Sequence, residues 1–439
     1  MKPRSVISLF TGAGGLDYGL EAAGFTTRVA VELDADCCET LKQNRPEWRV
    51  LDTSIFELTP EDVLKVGRLK AEEVDLLVGG PPCQPFSKAG FWVNGDAPRL
   101  ADARADTLNA FMDMVEGTLP RVVLLENVQG LAYRGRDEGL QLVLNRLDKL
   151  NRQAGTKYKA VYRTLDAAAY GVPQHRTRFI LVAARDGSEF QFPNETHAAP
   201  EEAEGLKLKP YTTAYDALGD AEPANAEELA PKGKWAGLLP SIPEGFNYLW
   251  HTERGGKGAL PLFGWRTRYW TFLLKLAKGR PSWTIPAQPG PAAGPFHWKS
   301  RRLSVEEMCR LQTFPRGITI VGGRTSAQRQ VGNAVPSLLA EVLGRAIREQ
   351  LLGDDPVQGR LKLLPRRRTP VPPPEPVQEV PEPFRAGAGR HAAHPGTGKG
   401  PRALLRESAP ALVAGRAPQE GSDRNVKSRG TRPSLARAS

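Results

Sequence analysis

Seven short apolar runs, separated by stretches with helical spacing, occupy the first 185 residues of this 439-residue chain and restrict its fold more than any other feature. The runs are Val6–Phe10, Thr27–Glu32, Trp48–Asp52, Val74–Gly79, Val122–Glu126, Lys159–Thr164 and Phe179–Ala184. Between them, Leu16–Ala23, Ala35–Asn44, Leu108–Gly117 and Leu140–Asn151 carry apolar residues three and four apart, the spacing of a helix with one buried face. Strand and helix alternating at this pitch predict an α/β fold built on a doubly wound sheet.

Downstream the pattern changes. From about 190 to 300 it dissolves into Gly, Pro and aromatic residues, which predicts a smaller, irregular second domain over 191–300. Helical signals return in 301–351, at Ser304–Gln312, where Ser304 and Glu307 fit a capping box, and at Val335–Gln350. Residues 352–439 are rich in Pro, Arg, Gly and Ala, carry no motif, and are expected to be a disordered, dispensable basic tail. The tail holds 16 basic and 8 acidic side chains, so most of the net charge of +11 lies there and not in the body. Within the body, residues 195–249 hold 4 basic and 10 acidic residues, whereas 250–302 hold 10 basic and one acidic together with five of the eight tryptophans. Cations interleaved with aromatics suit a polyanion that presents flat bases, although an ordinary solvated surface over core tryptophans has the same composition.

No apolar run reaches the ~18 residues of a membrane span, and the start MKPRSVISLF lacks the pattern of a signal peptide, so a cytoplasmic protein is expected. The four cysteines, at 37, 38, 83 and 309, form neither a CxxC pair nor a Cys/His metal spacing. Cys83 stands out because the apolar run Val74–Gly79 delivers it into the turn Gly79-Gly80-Pro81-Pro82-Cys83-Gln84, where α/β folds place their chemistry. A cysteine met in isolation is more often a small buried hydrophobe, and only its company elsewhere in the chain argues otherwise.

The first strand ends in Phe10-Thr11-Gly12-Ala13-Gly14-Gly15, glycines that let a ligand approach the backbone. The spacing misses a dinucleotide fingerprint, because its third glycine would fall at Asp17. Glu32 closes the second strand, where a carboxylate can accept from ribose hydroxyls, and Asp52 closes the third, within reach of an adenine amino group. A glycine loop with two strand-end acids describes an adenosine site without a pyrophosphate cradle, which favours S-adenosylmethionine over a nicotinamide cofactor.

Further motifs follow: Leu124-Leu125-Glu126-Asn127-Val128, then Tyr170-Gly171-Val172-Pro173-Gln174-His175-Arg176-Thr177-Arg178, then Arg301-Arg302-Leu303-Ser304 running to Leu311-Gln312-Thr313-Phe314-Pro315, and Gln330-Val331-Gly332-Asn333-Ala334-Val335-Pro336. In this order the chain resembles the DNA (cytosine-5) methyltransferase family over residues 4–351, apart from about 195–282. The resemblance implies a mixed Rossmann-like sheet, S-adenosylmethionine as cofactor, and double-stranded DNA as substrate. A cognate restriction endonuclease acting separately, and a monomeric enzyme, belong to the same expectation. Cys83 is similar to the nucleophile that adds to ring carbon 6 of a flipped-out cytosine, and Glu126 to the acid at ring nitrogen 3. Arg176 and Arg178 resemble the basic pair beside the base, Arg178 being the one to touch the pyrimidine carbonyl or position Glu126. Phe10, Gly12, Gly14, Glu32, Asp52, Pro82, Leu108 and Asn333 are similar to cofactor-lining positions. Gln84, Ser87 and Arg104 fall in a segment that resembles the loop closing over DNA, although the family's common Gly after the arginine is Ala105 here. Arg266 and Arg268, alternate residues of an extended run, are expected to read bases or grip phosphates, with Arg254 and Lys257 next in line. His175 has no acid near it in sequence and is assigned no catalytic role.

A tRNA cytosine methyltransferase would share these motifs, but residues 185–302 contain no cysteine of the kind its target module carries. A catalytically silent DNA-binding relative is disfavoured by intact Cys83, Glu126 and Arg178.

Overall fold

The computed structural model describes residues 3–82, 106–132, 137–223, 227–253, 255–256, 259–263, 270–386 and 388. All seven expected strands form: β1 (Arg4–Leu9), β2 (Phe25–Glu32), β3 (Arg49–Asp52), β4 (Leu76–Gly79), β5 (Val122–Asn127), β6 (Lys159–Asp166) and β7 (Thr177–Ala184). They make one sheet in the order β3-β2-β1-β4-β5-β7-β6. The pairings from β3 through to β5 are parallel, while β7 runs antiparallel to both β5 and β6. The fold is thus the mixed, doubly wound α/β class that the resemblance implied.

Central strands β4 and β5 are buried along their whole length, as continuous apolar runs covered on both faces must be. Edge strand β6 is mostly exposed, and Lys159 and Arg163 on it discourage pairing with another chain. One face is covered by α3 (Pro60–Gly67), α4 (Asp106–Thr118) and α5 (Glu138–Ala154), whose Val63, Phe111, Val115, Val143 and Leu147 join Ile7, Leu77 and Val123 of the sheet. The other is covered by α1 (Gly15–Ala22) and the last long helix, Ser337–Leu351. These two helices approach closely because Gly19 faces the second: a Cβ there would lie 2.1 Å from the Ser337 carbonyl oxygen.

Asp17, fully buried in α1, accepts hydrogen bonds from the hydroxyls of Ser8 on β1 and Thr27 on β2 and so pins α1 to the sheet. Burial pushes its carboxyl up to about 7. The helix α2 (Ala35–Asn44) is capped by the Asp34 side chain, which accepts from the Cys37 N–H.

Between 190 and 300 the described chain is irregular, and its buried side chains join two clusters. Leu238, Leu239, Ile242, Tyr248, Leu262, Leu273 and Phe296 form one of their own. Ala214 and Leu218 of the short helix α6 (Ala214–Leu218), with Leu276, Ile285 and Trp298, instead pack against Tyr18, Leu41 and Trp48 beside the large sheet. Helix α7 (Val305–Leu311) carries the expected capping box between Ser304 and Glu307. It is followed by α8 (Arg324–Asn333) and α9 (Ser337–Leu351).

One expectation is corrected. Residues 352–386 are not a disordered tail: Leu361, Leu363 and Leu364 pack on the sheet's second core, and Phe384 reaches the core around Leu238. The local composition is poor in large apolar residues, but backbone hydrogen bonds to distant acids hold the segment in place. Among the described residues, no helix is long and apolar enough to cross a membrane.

Candidate active site

The chemistry-bearing residues gather at the carboxyl edge of the parallel strands, where loops leave the sheet and side chains face outward. At the end of β1, Phe10, Gly12 and Gly14 all have positive φ, of 55°, 57° and 82°. Glycine adopts this conformation without strain, and Phe10 does so at a cost of about 1–3 kcal/mol that the surrounding structure must offset. The loop wraps the end of β2: the Gly12 N–H donates to Glu32 Oε2 at 2.6 Å, while Leu33 and Asp34 N–H donate to Oε1 at 2.9 and 2.8 Å. A carboxylate has about four acceptor positions, so Glu32 keeps one on Oε2. Glu32 and Asp52 are register partners across β2 and β3, side by side at the same edge. A Cβ placed on Gly12 would meet nothing within 4 Å, so the loop's outer face is open. Asn333 joins from α8, because Gly15 packs so tightly on the following turn that a Cβ would lie 2.4 Å from the Val335 carbonyl oxygen. Of the remaining expected cofactor positions, Pro82 is exposed, while Leu108 is buried in the core against which Phe10 packs.

The second half of the site lies on β5 and β7. Glu126, at the end of β5, pairs with Ile180, so Arg178 is its diagonal neighbour on the same face. Arg178 Nε lies 2.6 Å from Glu126 Oε1, and both side chains are almost wholly buried. Burial pushes the Glu126 carboxyl up from its ordinary value, against the Arg178 and Arg176 charges that pull it down. Above the pair passes the segment that leads to Cys83. A Cβ on Gly80 would lie 2.7 Å from Glu126 Oε2, and Asn127 Nδ2 donates to the Pro81 carbonyl at 3.2 Å. Cys83 follows three residues after Gly80, within about 11 Å of it along the backbone.

Arg176 behaves differently from its neighbour. It is 1% exposed, and its guanidinium donates to the carbonyls of Gly332 at 2.7 Å and Ile285 at 3.4 Å. These two bonds join the sheet to α8 and the returning chain just before β7 begins, while the Arg176 charge still acts on Glu126. His175, thought to lack an acid, has one: Nδ1 lies 2.8 Å from Asp166 Oδ2. Burial raises the Asp166 carboxyl, but His175 and the backbone N–H groups of Ala168 and Arg176 pull it below its ordinary range. The partner was invisible in sequence because β6 and β7 bring the two together across a turn.

Cys83, Gln84, Ser87, Arg104, Arg254, Lys257, Arg266 and Arg268 lie outside the described residues. Cys37, Cys38 and Cys309 are buried, and burial pushes their thiols up, Cys38 and Cys309 to about 12, which leaves them poor nucleophiles. Among the described residues no cluster of His, Cys, Asp or Glu could hold a metal ion.

A glycine loop and strand-end acids on one half, with a buried acid–arginine pair on the other, stand at the carboxyl edge of the sheet, the place where α/β enzymes carry their chemistry. The chain belongs to the C-5 cytosine-specific DNA methylase family, which it matches over residues 4–349. It is 40% identical over 373 residues to the Type II methyltransferase M.SacI of Streptomyces achromogenes, covering 79% of this chain and 93% of that one. M.NaeI of Lentzea aerocolonigenes, also a Type II methyltransferase, is 34% identical over 359 residues, 80% of this chain and 76% of its own. The solved Entamoeba histolytica methyltransferase EhMeth shares the fold at 14% identity, with a TM-score of 0.55 over 80% of this chain and 99% of that one.

Proposed function

We propose that this enzyme transfers a methyl group from S-adenosylmethionine to carbon 5 of a cytosine flipped out of a specific double-stranded DNA sequence, through a covalent bond from Cys83. The observation that carries the reading is the buried Glu126–Arg178 pair lying directly beneath the Gly80–Pro82 segment that leads to Cys83.

A cytosine stacked in a duplex is out of reach, so the base must leave the stack. The Cys83 thiolate then adds to carbon 6, forming a C–S bond and moving the ring's electron pair onto carbon 5. Glu126, whose pKa burial raises, donates a proton or hydrogen bond to ring nitrogen 3 as that charge develops, and Arg178 holds it in place. Once carbon 5 carries the methyl group, loss of its proton restores the double bond and expels Cys83 as thiolate. S-adenosylmethionine supplies an electrophilic methyl group when bound. Phe10, Gly12, Gly14, Pro82, Leu108 and Asn333 would line its site, with the open acceptor on Glu32 Oε2 taking a ribose hydroxyl and Asp52 the adenine amine. Arg176 acts as a positioning residue for the joint between sheet and returning chain.

The basic, aromatic stretch 250–302 is the DNA-facing part of the second domain, with Arg266 and Arg268 as its readers. A cavity between that stretch and α8, lined by Lys232, Arg302, Arg324 and Arg329, adds to the positive field. In this reading the enzyme is a cytoplasmic monomer, and a cognate restriction endonuclease acts separately.

Bisulfite sequencing of plasmid recovered from cells expressing the protein tests the reaction and the target together, with 5-methylcytosine expected at one recurring sequence. Cys83→Ala should abolish the signal, and a duplex carrying 5-fluorocytosine at the target should trap the wild-type protein covalently. Methylation that persists in Cys83→Ala would overturn the covalent route.

A further inference from the structure

Residues 352–386 cross from the catalytic half to the second domain, and three acids on the way receive their backbone. Near the start, Asp354 is gripped by Arg4 at 2.6 Å and Arg348 at 2.9 Å. The N–H groups of Lys362 and Leu363 donate to the two oxygens of Glu341, at 2.8 and 2.9 Å, and Glu341 on α9 is wholly buried. The Arg368 N–H donates to Asp216 Oδ1 on α6 at 2.6 Å, and the Arg368 guanidinium pairs with Asp220 at 2.8 Å. The Glu375 N–H donates to Glu244 Oε1 at 2.8 Å, and the buried Lys278 ammonium lies between those two carboxylates, 2.6 Å from Glu244 and 2.9 Å from Glu375. Beyond this, Gln378 N–H donates to the Pro240 carbonyl at 3.2 Å, and the Phe384 ring stacks on Trp235 with centroids 5.8 Å apart.

Between the Arg368 and Glu375 anchors lie Pro370, Pro372, Pro373 and Pro374. Proline-rich chain is extended and stiff, at roughly 3.1 Å per residue, so it sets a distance where a flexible linker would only limit one. The family match ends at residue 349, so this segment lies outside the matched region.

We propose that residues 352–386 are a strap that fixes the second domain's own core, around Leu238, Tyr248 and Leu273, in a set orientation on the catalytic sheet, and so positions the DNA-reading surface over the active edge. The functional half of this inference rests on the DNA reading above. Its structural half does not. Among the described residues, the anchoring hydrogen bonds and ion pairs of the strap go to Arg4, Arg348, Glu341, Asp216, Asp220, Glu244 and Lys278 and not to the glycine loop or the Glu126–Arg178 pair, so removing it should affect DNA engagement and leave cofactor binding alone.

The test compares the full chain with a chain ending at residue 352, a chain ending at residue 389, and the full-length double variant Arg368→Ala/Glu375→Ala, which covers failure of the short chain to fold. Hydrogen exchange of the amides in 236–251 and 270–280 should speed up at least tenfold in the 352 truncation and the double variant, and stay unchanged in the 389 truncation. In methylation assays the first two should raise KM for DNA at least tenfold, with kcat within about threefold and S-adenosylmethionine affinity unchanged. Exchange and KM equal to those of the full chain in both strap variants would overturn the proposal. So would a parallel loss of cofactor binding in the double variant, which would make the segment a general stabiliser. If the full chain itself transfers no methyl group, the functional reading fails, while the exchange measurement still decides whether the strap holds the domain.

Discussion

Replacing Gly80 with alanine adds one methyl group at the most crowded point of the site. The new Cβ would lie 2.7 Å from Glu126 Oε2, closer than such atoms come in folded proteins, so one partner must yield by about half an ångström or more. A carboxylate tip could ordinarily swing aside, but this one is buried and tied to Arg178 at 2.6 Å. Either Glu126 rotates and stretches that pair, or the Gly80–Pro82 segment lifts and carries Cys83 with it. Both move a reacting group off its line, and misplacement of about 1 Å costs on the order of 100-fold in rate, or roughly 2.7 kcal/mol of barrier. Overpacking should cost a further ~1–3 kcal/mol of stability, which the folded enzyme survives. The expected result is therefore a kcat lowered about 100-fold in tritiated-methyl transfer, with cofactor affinity by calorimetry changed far less, because Pro82 is the one proposed cofactor-lining residue on the segment that moves. Gly279→Ala is the control, since a Cβ there meets nothing within 4 Å. A Gly80→Ala enzyme that turns over within threefold of wild type would refute the proposed joint action of Glu126 and the Gly80–Pro82 segment in the transfer.

Three further outcomes are expected. Glu32→Gln should weaken S-adenosylmethionine binding at least tenfold, because the amide presents donors to N–H groups that now meet acceptor oxygens on both sides; an unchanged dissociation constant would remove Glu32 from the cofactor site. Asp17, held near 7 by burial, keeps a proton in the folded state that the unfolded chain releases above about 4, so its contribution to stability is lost as pH rises from about 4 to 7, by up to roughly 4 kcal/mol. Asp17→Asn should remove that slope and gain on wild type between pH 5 and pH 8 in urea melts; a variant that loses ground at pH 8 would show that Asp17 is ionised in the fold. Arg266→Ala and Arg268→Ala should each relax base preference at one position of the target, at a cost of ~1–3 kcal/mol, and a uniform loss across single-base target variants would make both residues phosphate contacts.

The strands were legible because each is a dense apolar run, and the capping box at Ser304 because its residues are adjacent in sequence. Helix α3 escaped notice although Thr59-Pro60-Glu61-Asp62 is a complete start signal: only Val63, Leu64 and Gly67 of it are buried, too short a pattern to show a period. Helix α8 is polar nearly throughout and is held by neighbours, so its sequence has no stripe to find. The residues of the site were legible by kind, but not their orientation. Nothing local distinguishes inward-facing Arg176 from Arg178, and the acid beside His175 comes from another strand. The strap was misread for the same reason, since its stability resides in Glu341, Asp216 and Glu244, far away along the chain.

The reversed direction of β7 has an effect on how this enzyme can change. Glu126 and Arg178 meet because one strand ends where its antiparallel neighbour begins, and their separation is fixed by counting residues along a ladder. A slip of one residue would send the arginine to the opposite face of the sheet, and a slip of two would carry it about 7 Å along the strand. Between those steps there is no intermediate setting. Under the proposed reading, target choice housed in the irregular chain can drift by small insertions and single substitutions, whereas the acid and its cation admit only whole-residue moves, each of which breaks them apart.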